Sequence, residues 1–145
     1  MVGWFMRLHE PKGRKKNLYH YVYNPTEEYS IILTNAGFYH RKWNYILINQ
    51  MPGGIKDVVK KWINCEDIAM NFLISSHCGE KGTIHVKPEK QPNHFSELTE
   101  SLSGRRSRAR QRDECVTYFV KHYTRDPLHK KSATDTAKML EAAGL

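Results

Sequence analysis

The order of apolar and polar residues along this chain changes between a two-residue and a 3.6-residue period. Residues 18–23 (LYHYVY) and 28–34 (EYSIILT) are rich in aromatic and β-branched side chains and are separated by NPTE, which has turn composition. We predict one strand in each segment, and the two could pair as a hairpin. A further short strand is predicted within residues 82–88 (GTIHVKP), where a proline ends the run.

In other segments the apolar residues recur at intervals of three and four, which predicts amphipathic helices. One helix is predicted across residues 43–50, ending before Pro52, and a second across residues 55–62. A third helix should begin at Asn64, which is a favourable N-cap residue. Its predicted buried stripe consists of Ile68, Ala69, Phe72 and Leu73.

The last part of the chain predicts a loop and two more helices. Residues 87–104 are polar and without periodicity, as expected of a long functional loop. The helix that follows should present one shared face formed by Arg112, Cys115, Val116, Phe119 and Val120. Residues 132–145 could form a short helix capped by Ser132 or Thr134. Short strands interspersed with helices predict an α/β fold.

Length and charge narrow the possible partners. The 145 residues are enough for one ordinary domain, and the net charge of +8 favours a polyanion. Acidic glycans and nucleotide diphosphates belong to that class, as nucleic acids do. The basic run at residues 105–112 contains no aromatic side chains on which bases could stack, so we expect no nucleic-acid partner. No apolar run approaches the roughly 20 residues needed to cross a bilayer, so we expect no membrane segment here.

The cysteines leave their pairing open. They are Cys65, Cys78 and Cys115. From their number alone they could be three reduced thiols, and no C-x-x-C motif supports a zinc site. If Cys65 and Cys115 were bridged, Asp67 and Arg112 would become neighbours, because each lies within one helical turn of its cysteine. Asp67 also has a structural interpretation, as the partner of Asn64 in a capping box.

Three strings of residues carry a resemblance to a known family. They are EYSIILTNAGFYH at 28–40, NCEDIAMNFLIS at 64–75 and QRDECVTYFV at 111–120. Together they resemble the C-terminal glycosyltransferase domain of the exostosin family, and the resemblance extends over residues 1–128. It implies the C-terminal half of a nucleotide-sugar-dependent domain of the GT-A type, with a mixed sheet and flanking helices. Residues 129–145 would then be a C-terminal tail.

The resemblance also assigns residues to roles. It implies a disulfide between Cys65 and Cys115, and therefore an oxidising compartment. It places Asp67 and Arg112 as catalytic residues. It places Asn64 and Glu66 as substrate-binding residues.

The resemblance implies an activity as well. Members of this family transfer N-acetylhexosamine from a UDP-sugar to a glycosaminoglycan or linkage-region acceptor, with retention of configuration. A carboxylate at Asp67 could stabilise the positive charge that develops on the sugar, and the guanidinium of Arg112 could hold the leaving diphosphate. Location in the lumen of the endoplasmic reticulum or Golgi apparatus, with a membrane anchor on the full-length protein, follows from the same resemblance.

One departure from the family pattern leads to an alternative function. Mn²⁺ is expected for the full domain, but its usual Asp-x-Asp ligands do not occur in this chain. The alternative is an inactive half-domain that binds acidic glycans through Arg105, Arg106, Arg108 and Lys87. In a half-domain, strand edges around residues 2–7 and 31–34 would be open, so we expect self-association.

Overall fold

The computed structural model describes residues 1–13, 18–89 and 106–144, which form short strands and α-helices. The strands are β1 (Val2–Gly3), β2 (Met6–Pro11), β3 (Tyr19–Val22), β4 (Glu28–Tyr29), β5 (Ile31–Ile32), β6 (Gly37–Phe38), β7 (Ile84–His85) and β8 (Lys131–Ser132). The helices are α1 (Lys42–Gln50), α2 (Gly53–Trp62), α3 (Glu66–Cys78), α4 (Arg106–His122) and α5 (Ala133–Ala142). The predicted mixed α/β fold is therefore confirmed.

The strands form small mixed sheets with the orders β6-β1-β7, β3-β2-β5 and β4-β8. β1 pairs in parallel with β7, and the other pairings are antiparallel. The hairpin considered for residues 18–23 and 28–34 is wrong. β3 and β5 lie on opposite sides of β2 and pair with it rather than with each other. Leu8 pairs with Val22, and Met6 pairs with Ile32. Residues 28–34 are divided between β4 and β5, which have different partners.

The predicted helices are all present, but α3 is more deeply buried than a single apolar stripe requires. Every residue from Ile68 to Ser75 is buried, because α3 packs against α1, α2, α4 and β5. Phe72 meets Phe119 of α4 edge to face, with ring centroids 5.6 Å apart. α3 is therefore the central helix of the core, to which α4 is joined by aromatic packing.

Side chains from the helices bond both outer edges of the β3-β2-β5 sheet. At β5, Ile32 donates its N–H to Asn71 Oδ1 (2.9 Å) and accepts from Asn71 Nδ2 (2.8 Å). At β3, the N–H of Tyr19 bonds Thr117 Oγ1 (2.9 Å) and the N–H of Tyr21 bonds Asp113 Oδ1 (2.8 Å). These bonds supply partners to strand groups that no neighbouring strand of the described chain reaches.

The expectation of open strand edges is accordingly wrong. β1 lies between β6 and β7, and β2 lies between β3 and β5. Ile31 and Ile32 of the outer strand β5 are fully buried. Self-association stays a prediction, but these strands no longer supply a reason for it.

The C-terminal residues pack against the rest of the fold. β8 pairs with β4, and the predicted helix begins directly after it. Ser132 is its N-cap, since Ser132 Oγ accepts from the N–H of Asp135 at 3.1 Å. Thr136 Oγ1 lies 3.1 Å from Tyr29 Oη. The domain boundary expected after residue 128 stays a prediction.

Among the described helices, none has the length and hydropathy required to traverse a bilayer.

Replacement of Asn71 by the apolar leucine should destabilise the fold strongly. The N–H and C=O of Ile32 would lose their partners in a fully buried place, at about 1–3 kcal/mol for each group. We expect Asn71→Leu to lower the free energy of unfolding by about 3 kcal/mol in urea titrations. The control is Asn49→Leu. Asn49 is exposed, and its side-chain amide donates a hydrogen bond to the Tyr45 carbonyl. Equal losses in the two variants would contradict the edge-pairing role.

Candidate active site

The turn between α2 and α3 contains two residues in the left-handed region of backbone conformation. Ile63 has φ 49° and ψ 49°, and Cys65 has φ 73° and ψ 13°. Residues other than glycine adopt this region at a cost on the order of 1–3 kcal/mol each, and such strain is concentrated at functional sites. The turn directs the chain into α3 so that Glu66 and Asp67 are its first two residues.

Asn64 does not cap α3, so the predicted capping box is wrong. Its Oδ1 accepts from the N–H of Cys65 (3.0 Å), and its Nδ2 donates to Gln111 Oε1 (3.1 Å). Cys65 occupies the N-cap position, because its left-handed backbone delays the helix by one residue. Asp67 Oδ1 instead accepts from the N–H of Ile68 at 2.8 Å. Asn64 thus ties the turn to α4, and its substrate-binding role stays a prediction.

A disulfide joins Cys65 to Cys115, as the resemblance implied. The two Cα atoms lie 6.5 Å apart, and both cysteines are fully buried. Cys78 is free and exposed, so the interpretation of three reduced thiols is wrong. The bond fixes the start of α3 against the middle of α4.

Arg112 lies one helical turn before Cys115 and is held by two tyrosines of the strand side. Its Nη1 donates to Tyr23 Oη at 2.8 Å. Its guanidinium carbon lies 5.8 Å from the ring centroid of Tyr21 and 5.4 Å from that of Tyr23. A guanidinium stacked and hydrogen-bonded in this way has few accessible rotamers, so its charge has a defined position.

Asp67 has an unusual titration because it is partly buried at the start of α3. Burial raises the pKa of Asp67 to about 6, and the negative charge of Glu66 contributes to the increase. The Ile68 N–H bond and the positive charges of Arg112 and Arg7 act in the opposite direction. Asp67 and Arg112 therefore interact electrostatically, as expected if the two cysteines are bridged. Their catalytic roles remain predictions.

The other residues of interest occupy different surroundings. Glu66 is exposed at the first position of α3. Arg108 donates from Nη1 to the Ile63 carbonyl at 3.2 Å. Lys87 lines a separate cavity. Arg105 and the side chain of Arg106 lie outside the described residues, so the glycan-binding alternative stays a prediction.

Sequence reasoning did not identify Arg7, Tyr21 and Tyr23 as parts of this site. One signal was present: Tyr21 and Tyr23 are two residues apart in a strand, so their side chains share one face. For Arg7 the chain offered no comparable signal. It reaches the site only because β2 is the central strand between β3 and β5.

The described residues do not form a metal site. Within the described part of the chain, no group of three or more His, Cys, Asp or Glu side chains could hold an ion. Mn²⁺ prefers several oxygen ligands, and the adjacent carboxylates of Glu66 and Asp67 do not supply such a set. These side chains therefore do not fit the Mn²⁺ that is expected for the full domain.

Removal of the disulfide should destabilise the protein by about 4 kcal/mol on the chain-entropy model for a separation of 50 residues. We expect the Cys65→Ser/Cys115→Ser double variant to show this loss in urea denaturation. Cys78→Ser is the control and should change the free energy of unfolding by less than about 0.5 kcal/mol. Non-reducing peptide mapping that found Cys78 in the bridge would contradict the assignment.

Replacement of Asp67 by asparagine should stabilise the fold at neutral pH. The folded-state pKa of about 6 is above the ordinary value of 3.8, so ionisation of Asp67 opposes folding. Its contribution to stability is greatest below pH 3.8 and is lost as the pH rises through 6. We expect the stability gained by Asp67→Asn over wild type to grow from less than about 1 kcal/mol at pH 4 to about 3 kcal/mol at pH 7–8. Asp57→Asn, a change at an exposed residue of α2, is the control. If the difference in unfolding free energy between Asp67→Asn and wild type did not change with pH, the prediction would be contradicted.

Comparison with known proteins agrees with the resemblance noted from the sequence. Residues 1–139 match the model of the glycosyl transferase family 64 domain. Exostosin-2 from Homo sapiens is 38% identical over 130 residues, which are 88% of this chain and 18% of that protein. Exostosin-1a from Danio rerio is 34% identical over 137 residues, with 88% and 18% covered. Exostosin-like 2 from Homo sapiens is 34% identical over 105 residues, or 70% of this chain and 32% of that protein.

The chain thus spans about a fifth of the length of exostosin-1a and exostosin-2. The family match covers nearly the whole chain and includes the Cys65–Cys115 disulfide, Asp67 and Arg112. The chain therefore belongs to the glycosyl transferase family 64 domain family.

Proposed function

We propose that this chain is the catalytic part of a transferase that moves N-acetylhexosamine from a UDP-sugar to a glycosaminoglycan or linkage-region acceptor. The observation that carries the proposal is the Cys65–Cys115 disulfide, which fixes Asp67 at the start of α3 against the part of α4 that carries Arg112. The disulfide fixes their two helices, and Tyr21 and Tyr23 hold the guanidinium. Membership of a glycosyltransferase family supports the reaction class.

The opposite charges of Asp67 and Arg112 match the charges that develop at the two ends of the breaking bond between sugar and diphosphate. As the bond between the sugar and the diphosphate lengthens, positive charge develops on the sugar ring and negative charge on the leaving oxygen. Asp67 is mostly ionised at neutral pH with a pKa of about 6, and it faces the sugar in this proposal. Arg112 carries several N–H donors, so it can bond Tyr23 and a diphosphate oxygen together.

The residues around this pair have supporting roles. Glu66 is exposed beside Asp67, where its carboxylate can accept hydrogen bonds from sugar hydroxyl groups. Asn64 is buried and bonded to Gln111, so in this proposal it contributes mainly by holding the turn on which Glu66 and Asp67 lie. Retention of the donor's anomeric configuration is part of the proposal.

The buried disulfide supports a secretory-pathway location. Disulfides persist in oxidising compartments and are rare in the cytosol. We propose the lumen of the endoplasmic reticulum or Golgi apparatus, where glycosaminoglycan chains are extended. Mn²⁺ dependence stays a prediction for the full domain, since the described residues of this chain do not supply a ligand set, and omission of Mn²⁺ from the transfer assay tests it.

Activity should require both members of the charged pair. The purified protein is incubated with UDP-N-acetylglucosamine, UDP-N-acetylgalactosamine or UDP-glucose and an acceptor ending in glucuronic acid, with and without Mn²⁺. We expect transfer from an N-acetylhexosamine donor, and a loss of about 100- to 1,000-fold in Asp67→Asn and in Arg112→Lys. Asp57→Asn and Arg41→Lys, both exposed, are the matched controls. Proton NMR of the first product should show the anomeric configuration of the donor.

Two outcomes would contradict the proposal. If Asp67→Asn and Asp57→Asn transferred sugar equally well, Asp67 would have no part in the reaction. If wild-type protein released no UDP from any donor but still bound an acidic glycan, the inactive glycan-binding half-domain would be the better description.

A further inference from the structure

Helix α1 carries apolar side chains on two opposite sides. Trp43, Ile46 and Leu47 pack against the core. Tyr45 and Ile48 lie on the other side of the helix, and each is 67% exposed. A surface helix of a globular protein normally has one apolar stripe and a polar opposite face. The outer apolar side chains of α1 therefore do not serve the core, and none of the roles considered so far uses them.

A cation lies on the same outer side of α1. Arg41, Tyr45 and Ile48 are spaced at i, i+4 and i+7, so they follow one side of the helix. Arg41 precedes the first residue of α1 but already has helical backbone angles, with φ −52° and ψ −23°. It is exposed, and among the ion pairs of the described residues none includes it. Its charge is therefore available to a partner.

Two lysines of α2 extend the positive charge. Lys56 Nζ donates to the Ile48 carbonyl at 3.0 Å, which places the ammonium beside the end of the outer apolar stripe. Lys60 lies one helical turn further along α2, and both lysines are exposed. Residues 29–56 contain no Asp or Glu, so no acidic side chain of this segment reduces the charge. Asp57 follows directly, but adjacent residues of a helix do not face the same side.

We call Arg41, Tyr45, Ile48 and Lys56 together the α1 face. Its cations favour an anionic partner, and its exposed apolar side chains favour one that also offers an apolar phase. A second copy of the same face would place like charges against each other, which disfavours self-pairing. The cavities of about 680 and 590 Å³ are lined by residues outside α1 and α2, so this face presents protruding side chains rather than a pocket.

A lipid surface suits protruding side chains of this kind. A bilayer adapts to single side chains, whereas a folded protein would need a groove of matching shape to bury them. Tyrosine is enriched at membrane interfaces, where its ring is partly buried and its hydroxyl stays among the headgroups. Aliphatic side chains reach the acyl boundary, and Lys and Arg beside them bind anionic headgroups. The α1 face has all three kinds of side chain within about two helical turns.

We propose that the α1 face binds the surface of an anionic lipid bilayer. Ile48 and the ring of Tyr45 would lie at the boundary between headgroups and acyl chains, and Arg41 and Lys56 would lie among the headgroups. The helix would be parallel to the membrane plane and would not cross it. This contact concerns where the protein is held, so it goes beyond the proposed sugar transfer and does not depend on it.

The first test measures co-sedimentation of the 145-residue chain with lipid vesicles. Vesicles of equal parts phosphatidylcholine and phosphatidylserine are compared with vesicles of phosphatidylcholine alone. We expect binding to the anionic vesicles to be at least about 10-fold tighter, and Arg41→Gln/Lys56→Gln to weaken it by about 10- to 25-fold. Lys121→Gln/Lys138→Gln removes the same charge from exposed positions on α4 and α5, so it is the matched control. It should weaken binding by less than about 3-fold.

The second test concerns the apolar contact. We expect Ile48→Ser to weaken binding to the anionic vesicles by about 10-fold, because its side chain would no longer enter the apolar region. Met139→Ser is the matched control, since Met139 is 55% exposed on α5, and it should bind as wild type does. Both side chains are exposed, so both variants should keep the urea midpoint of the wild type.

Several results would overturn the proposal. Equal losses in the two double variants would mean that net charge alone attracts the chain to vesicles. Equal binding by Ile48→Ser and Met139→Ser, or no binding to either kind of vesicle, would exclude the apolar contact. Binding of polyglutamate that depends on Arg41, without vesicle binding, would instead assign the α1 face to an acidic polypeptide. A dimer in light scattering that Ile48→Ser abolishes would assign it to a second copy.

Failure of this proposal is distinguishable from failure of the proposed function. Sugar transfer to a soluble acceptor needs no vesicle, so Ile48→Ser should transfer as wild type does. Asp67→Asn should lose transfer but bind vesicles as wild type does. If no transfer is found while vesicle binding depends on Arg41 and Ile48, the proposed function fails and the membrane contact stands.

Discussion

The disulfide between Cys65 and Cys115 is the constraint on which the arrangement of the site depends. Asp67 follows one cysteine by two residues, and Arg112 precedes the other by three. Neither α3 nor α4 can slide or rotate far without moving the buried bond, so the carboxylate and the guanidinium keep their relation. The same bond holds a strained turn: Cys65 has a left-handed backbone, and the disulfide with the Asn64–Gln111 hydrogen bond opposes its relaxation.

Hydrogen bonds from helix side chains to strand backbone groups connect the helices to the sheet. Asn71 of α3 bonds both backbone groups of Ile32, while Asp113 and Thr117 of α4 bond the outer edge of β3. The strands are short, and side chains from α3 and α4 complete their hydrogen bonding. As a result, Tyr21 on β3 lies directly against α4, the helix that also carries Arg112. The side chains that stabilise the sheet therefore also determine where the charged site forms.

The electrostatics of the site work against stability in a way typical of functional sites. Asp67 is partly buried beside Glu66, and desolvation together with the charge of Glu66 raises its pKa, so ionisation of Asp67 opposes folding. An oriented charge in a water-poor site is what charge development in a transition state requires. Arg7 shows a similar feature, because its buried Nε has no partner among the described residues.

Most of the secondary-structure elements, and the chemistry that they carry, could be predicted from local sequence patterns. The 3.6-residue spacing predicted α1 to α4, the residue composition predicted the strand segments, and the quoted strings identified the family and the cysteine pair. Periodicity and composition act locally, so they can be recognised from neighbouring residues alone. The folded structure was needed to show that β2 is central and that Asn64 ties the turn rather than capping α3. It was also needed to show that Tyr23 bonds Arg112 and that the charge of Arg7 acts on Asp67. Those outcomes depend on which distant segments compete for the same backbone hydrogen bonds and the same buried space, and no local pattern encodes that competition.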